Sequence, residues 1–156
     1  MSEVDIVRVR TAAQLAQALE IRLAVFVREQ GVSEAVEIDG LDEAAAHLLA
    51  LIGDRPVGTL RLRLLEDGQI AKIERVAVLA PYRGRQVGLA LMRAGLDLAA
   101  ERGAGEARLH AQTYATGFYE RLGFAAFGGE FMEDGIPHIA MRRTLKDQEN
   151  AAEIAP

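Results

Sequence analysis

The sequence predicts an α+β fold, a mostly antiparallel sheet with helices packed against it, and three observations support that class. Segments of period two and segments of helical period follow one another in the order β, α, βββ, α, β, α, ββ. Three strands run in succession near the middle, joined by short turns, which is an antiparallel meander and not a repeated strand–helix alternation. With 156 residues, half of them apolar, the chain can bury one substantial core.

Each element has a local reason. Residues 4–10, VDIVRVR, alternate apolar and polar as a half-buried strand does. Thr11 then stands where an N-cap would open a helix over residues 12–30, with Leu15, Leu19, Leu23 and Phe26 on one stripe and Gly31 closing it. VSEAVEIDGLDEAA is acidic and irregular, a loop expected to border a site. HLLALIG, PVGTLRLRLLE and QIAKIERVAVL are the three successive strands, joined at residues 54–56 and by a two-residue turn at Asp67-Gly68. A helix through VGLALMRAGLDLAAERG closes at Gly103, the strand EARLHAQ follows, and TYATGFYERLG is a short helix ending at Gly123. FAAFGGEFMEDGIPHIAMRRTL reads as two strands around Asp134-Gly135. Residues 1–145 are expected to form a single domain, and 146–156 a polar, flexible tail.

Composition removes several chemistries. There are no cysteines, hence no disulfide, Cys-ligated metal or Cys acyl-enzyme; Ser2 and Ser33 lack a nucleophile-elbow context. The three histidines have no metal-site spacing, so no metal is expected. A formal charge of −5 argues against a nucleic-acid partner and permits a cationic substrate. Without a signal peptide or an apolar run of membrane-spanning length, a soluble, cytoplasmic protein with no membrane partner is expected.

The richest stretch is residues 75–92, RVAVLAPYRGRQVGLALM, where a strand meets Pro81, passes an Arg/Gly turn and enters a helix. The first N–H groups of a helix lack partners and carry the positive end of its dipole, which suits an anion. A P-loop would need Gly-Lys-Ser/Thr after the loop, and a dinucleotide turn three spaced glycines; neither is present. Arg83, Gly84, Arg85, Gln86, Val87 and Gly88 remain as a tight turn able to offer several N–H groups to a pyrophosphate.

This stretch resembles the acetyl-CoA-binding motif of the GCN5-related N-acetyltransferases (GNAT), Arg/Gln-x-x-Gly-x-Gly/Ala, with Arg83 first and Gly88 last. Gln86 stands where the motif has glycine, which implies either an ordinary helical conformation there or a slightly displaced pyrophosphate. HAQTYATGFYERLGF is similar to the family's second cofactor segment, and AVFVREQG, EIDGLDEAAAHLL and EDGIPHIAM are similar to segments of its small bacterial ElaA-like/YjcF-like branch.

The resemblance implies about seven strands flanked by about four helices, splayed between the fourth and fifth strands. It implies direct transfer of acetyl from acetyl-CoA to a primary amine in a ternary complex. Cofactor contacts would come from the strand residues Val76, Ala77 and Val78 and from the loop and first helical turn, Arg83 to Leu89. Tyr119 takes the place of the family's general-acid tyrosine, although it also lies on an apolar stripe with Ala115, Phe118 and Leu122. Glu74, of the same sheet parity as Val76 and Val78, is a candidate base, as are His110 and His138; pairing with Lys72 or Arg75 would be the structural alternative for Glu74. Glu29, Gln30 and Glu37, with Asp39 beside them, fall in the family's acceptor-shaping region, and His138 is a further acceptor candidate. The partner expected is a small-molecule amine or a protein amine, with a homodimer in keeping with the family. The rival reading is an acyl-CoA-binding sensor without transferase activity.

Overall fold

A computed structural model describes residues 3–145; the expected tail at 146–156 lies outside them. The described residues form an α+β fold with an eight-stranded, mostly antiparallel open sheet and four helices. They divide into two compact units, one of residues 3–63 with 73–97 and the other of 64–72 with 98–145. Among the described residues no helix is long and apolar enough to cross a membrane.

In the first unit, β1 (Val4–Arg8) pairs antiparallel with β2 (Ala46–Ile52), which pairs antiparallel with β3 (Arg55–Leu65). The β2–β3 turn is Gly53-Asp54, one step earlier than expected, and Pro56 lies inside β3. It is tolerated because the register shifts there, leaving Val57 outside the β2 pairing, and the Val57 carbonyl accepts the Leu79 N–H at 2.9 Å. β4 (Ile70–Val78) follows a turn wider than two residues, with Glu66, Asp67 and Gly68 all at positive φ.

Helix α1 (Ala12–Arg22) opens with the expected cap. The Thr11 hydroxyl accepts the Gln14 N–H, and the Gln14 side chain reaches back to the Thr11 N–H, a capping box. The helix then widens into a π-helical segment, Leu23–Glu29, in which the Gln30 N–H reaches the Val25 carbonyl at 3.0 Å. The acidic loop contains one helical turn, α2 (Glu34–Glu37), capped by the Ser33 hydroxyl. Ala18, Ile21, Val25, Leu49 and Ala77 form a core cluster under this layer. Helix α3 (Val87–Glu101) buries Val87, Leu91 and Met92.

In the second unit, the first three residues of β4 pair parallel with β5 (Glu106–Gln112), and the ladder ends at Lys72 and Arg108. β5 pairs antiparallel with β8 (Ile136–Thr144) along its whole length. The chain from 124 to 145 supplies three strands where the sequence pattern suggested two. A two-residue β6 (Ala125–Ala126) and β7 (Phe131–Glu133) both pair with β8, separated by Gly128 and Gly129. Helix α4 (Thr116–Glu120) follows a 3₁₀ turn at Thr113–Ala115, and the turn after it closes at Gly123, whose φ is +91°.

Candidate active site

Two left-handed residues shape β4 and the loop that follows it. Arg75, in the interior of β4, has φ +55°, and Gln86, immediately before α3, has φ +65°. Such angles cost an L residue energy and are held only where surrounding structure imposes them. At Arg75 the pleat is interrupted, so strand parity no longer ties Glu74 to Val76 and Val78. At Gln86 the ordinary helical conformation, one of the two readings of the missing glycine, is ruled out. The backbone adopts the geometry glycine would supply, with a glutamine in place.

The loop fits an anion. Gly84 has φ +82°, and nothing lies within 4 Å of where its Cβ would stand, so a ligand can approach the backbone. The first hydrogen bond of α3 runs from the Ala90 N–H to the Gln86 carbonyl at 3.0 Å, leaving the N–H groups of Val87, Gly88 and Leu89 ahead of it. The helix is pressed close to the strands by a glycine. A Cβ at Gly58 would meet Leu91 Cδ1 and Val87 Cγ1 at 3.0 Å and the Ala77 carbonyl at 3.1 Å. Glycine at this point of β3 lets the first turn of α3 sit close to β4, and a larger residue would force these neighbours to give way.

The loop arginines already have partners within the chain. Arg83 makes a two-pronged ion pair with Glu29, at 2.6 and 2.7 Å, and its Nε donates to the Val78 carbonyl at 3.0 Å. Hydrogen bonding from Arg83 holds the Glu29 carboxyl below its usual range. Arg85 pairs with Glu3 at 2.7 Å and lies over the Tyr82 ring. Both pairs are exposed and weak, so a pyrophosphate can compete for either guanidinium. Gln30 caps the π-helical segment next to Glu29.

The carboxylates expected to meet a cationic amine are largely neutralised from within. Arg22, fully buried, binds Glu37 and Asp42, each at 2.7 Å; Glu37 is only 3% exposed and also faces Arg75 at 3.0 Å. Arg61, 1% exposed, binds Asp39, Asp42 and Glu74 at 2.8–2.9 Å. Arg61's hydrogen bonds hold Asp39 well below the carboxylate range against the opposing effect of burial. Burial raises Asp42, but the Arg22 and Arg61 hydrogen bonds outweigh it and the net shift is downward. His47 is buried beside this network, its Nε2 against the Asp42 carbonyl, and desolvation lowers its pKa.

Glu74 belongs to the same network. Its Oε1 accepts from Arg61 and Arg63, the latter at 2.6 Å, and its Oε2 accepts from Arg63 at 3.1 Å. Both of these guanidiniums come from β3.

In the second unit, Tyr119 packs edge-on against Phe118 and Phe124, with ring centroids 5.0 and 6.1 Å away. Burial pushes its phenol up to about 12, so it holds its proton at neutral pH. His110, on β5, places Nδ1 2.8 Å from Glu133 Oε1 on β7. His138, on β8 and largely buried, donates from Nδ1 to the Ile136 carbonyl at 2.7 Å and has Nε2 3.8 Å from Glu133 Oε2. Among the described residues there is no group of three or more His, Cys, Asp or Glu arranged to hold a metal ion.

Comparison with known proteins agrees with this architecture. The family model for the acetyltransferase (GNAT) domain matches residues 11–145. YjcF of Bacillus subtilis, an uncharacterised N-acetyltransferase, is 40% identical over 131 residues, covering 83% of this chain and 92% of that protein. The crystal structure of Escherichia coli ElaA superposes with a TM-score of 0.80 at 31% identity, covering 90% of this chain and 99% of ElaA. An aminoglycoside 6′-N-acetyltransferase complexed with coenzyme A shares the fold, with a TM-score of 0.73 at 16% identity over 90% of this chain and 96% of that one. An acyl-CoA is the cosubstrate in keeping with that family, and the chain belongs to the GNAT family as an acyltransferase.

Proposed function

We propose that this protein is an acetyl-CoA-dependent N-acetyltransferase that passes acetyl directly to a primary amine within a ternary complex. The observation that carries the reading is the loop from Arg83 to Leu89, where Gly84 and Gln86 hold left-handed angles and the leading N–H groups of α3 follow. Those amides and the Arg83 and Arg85 guanidiniums hold the pyrophosphate, while the backbone of Val76, Ala77 and Val78 aligns the pantetheine arm. The amine nitrogen bonds to the acetyl carbon, the carbon–sulfur bond breaks, and an amide and a thiol leave. Tyr119, protonated at neutral pH, is the donor to the departing thiolate. Holding two reactants in register supplies much of the acceleration.

Glu74 serves this scheme as an anchor for Arg61 and Arg63, and His110 is the base. Because Glu37 is consumed internally, acceptor contacts fall to Glu29, Gln30 and His138, and the acceptor is a small-molecule amine or a protein amine. The test is release of CoA thiol with a panel of amines, paired with mass detection of the acetylated product. Tyr119→Phe is expected to lower kcat by about 10²-fold or more with acetyl-CoA affinity retained. Acetyl-CoA binding without thiol release across the panel would instead favour the sensor reading.

A further inference from the structure

Glu133 was not among the residues singled out by sequence, and it stands between two histidines. Its Oε1 faces His110 Nδ1 at 2.8 Å and its Oε2 faces His138 Nε2 at 3.8 Å. The Phe131 ring lies edge-on to His110, with centroids 5.0 Å apart, and stacks on His138 at 6.0 Å. The hydrogen bond from His110 holds the Glu133 carboxyl below its usual value against the opposing effect of burial, and Lys72 on β4 adds to that lowering. A carboxylate within hydrogen-bond distance of a ring nitrogen can only accept, so that nitrogen carries the hydrogen. His110 therefore has Nδ1–H donating to Glu133, which leaves the lone pair on Nε2, and the imidazole is about one-third exposed.

We propose that Glu133 is a positioning residue: it fixes the His110 tautomer and orientation so that Nε2 can accept the proton of the incoming ammonium group. The proton leaves the acceptor nitrogen for Nε2, the neutral amine keeps the electron pair that forms the amide bond, and the imidazolium so formed is balanced by the Glu133 carboxylate. His138, tied to the Ile136 carbonyl, sets the far side of that carboxylate. The inference rests on the acetyltransferase reading for its chemistry, but its structural half can be measured without any acceptor.

The ring nitrogens of His110 can be observed by ¹⁵N NMR in the wild-type protein and in Glu133→Gln and Glu133→Ala. The expected result is an Nδ1–H tautomer in wild type, retained with Gln, whose carbonyl still accepts, and lost with Ala. The same tautomer population in all three proteins would overturn the assignment. In thiol release, Glu133→Gln is expected to lower kcat about tenfold and Glu133→Ala about a hundredfold, with acetyl-CoA affinity unchanged and His110→Ala at least as impaired. Full kcat in Glu133→Ala would overturn the positioning role, whereas wild-type protein inert toward every amine would count against the transferase reading, not against the tautomer.

Discussion

Replacing Gln86 with glycine tests whether the loop is held in its ligand-ready form by the surrounding structure or by the side chain at this position. Gln86 sits at φ +65°, a region that costs an ordinary L residue roughly 1–2 kcal/mol. Glycine removes that cost but loses more freedom on folding, about 0.5–1 kcal/mol. The expected net is a gain of about 0.5–1 kcal/mol, read as a higher urea midpoint at unchanged slope. Because the backbone already has the left-handed geometry, acetyl-CoA affinity should change less than about threefold, 0.65 kcal/mol at ~1.4 kcal/mol per decade. Gln86→Pro, with φ locked near −65°, is expected to lose both stability and affinity. If Gln86→Gly tightened acetyl-CoA binding tenfold or more, the glutamine would be displacing the pyrophosphate and the reasoning would fail. A protein destabilised by 1 kcal/mol or more would show that the side chain supports the turn.

Further outcomes follow from the same geometry. Gly58→Ala should cost about 1–3 kcal/mol by overpacking and weaken acetyl-CoA binding, since its Cβ would meet the Ala77 carbonyl at 3.1 Å; denaturation and calorimetry check both, and an unaffected affinity would separate helix seating from cofactor binding. Glu29→Gln removes an anionic competitor for the Arg83 guanidinium and should tighten acetyl-CoA up to about fivefold, the worth of an exposed ion pair; weaker binding would mean that Glu29 presents Arg83 instead of competing for it. Arg61→Met leaves Asp39, Asp42 and Glu74 short of counter-charge in a buried site and should cost about 3–5 kcal/mol at pH 7. The two aspartates are depressed in the folded state, so their contribution is present above the unfolded value near pH 4 and is lost as pH falls below it. The variant should therefore show a shallower loss of stability below about pH 4, and an unchanged acid limb would remove the network as its source.

Much of the scaffold was legible because its signals are local. Period two marked β5 at Glu106–Gln112 with its observed ends, and Thr11 with Gln14 wrote out a capping box three residues apart. The loop at Arg83–Gly88 was legible as a strand-to-helix corner with glycines and arginines. The arginine network was not, because Arg22 meets Glu37 fifteen positions away and Arg61 meets Asp39 at twenty-two, distances that leave no periodic trace. Hence Glu37 and Glu74 read as available carboxylates. The left-handed angles at Arg75 and Gln86 fall on residue types that rarely adopt them, so backbone strain imposed by tertiary structure was hidden. Glu133 left a fainter signal: a hairpin at Asp134-Gly135 places Phe131 opposite His138, and β8 places His138 opposite Gln112, two residues from His110.

The most direct test of the cofactor loop is titration calorimetry of acetyl-CoA into wild-type protein and Gly88→Trp. The account predicts saturable binding by wild type with one site per chain and at least tenfold weaker binding by the variant, whose bulk stands in the first turn of α3, with both proteins folded by circular dichroism. Equal affinity in the two proteins would contradict it.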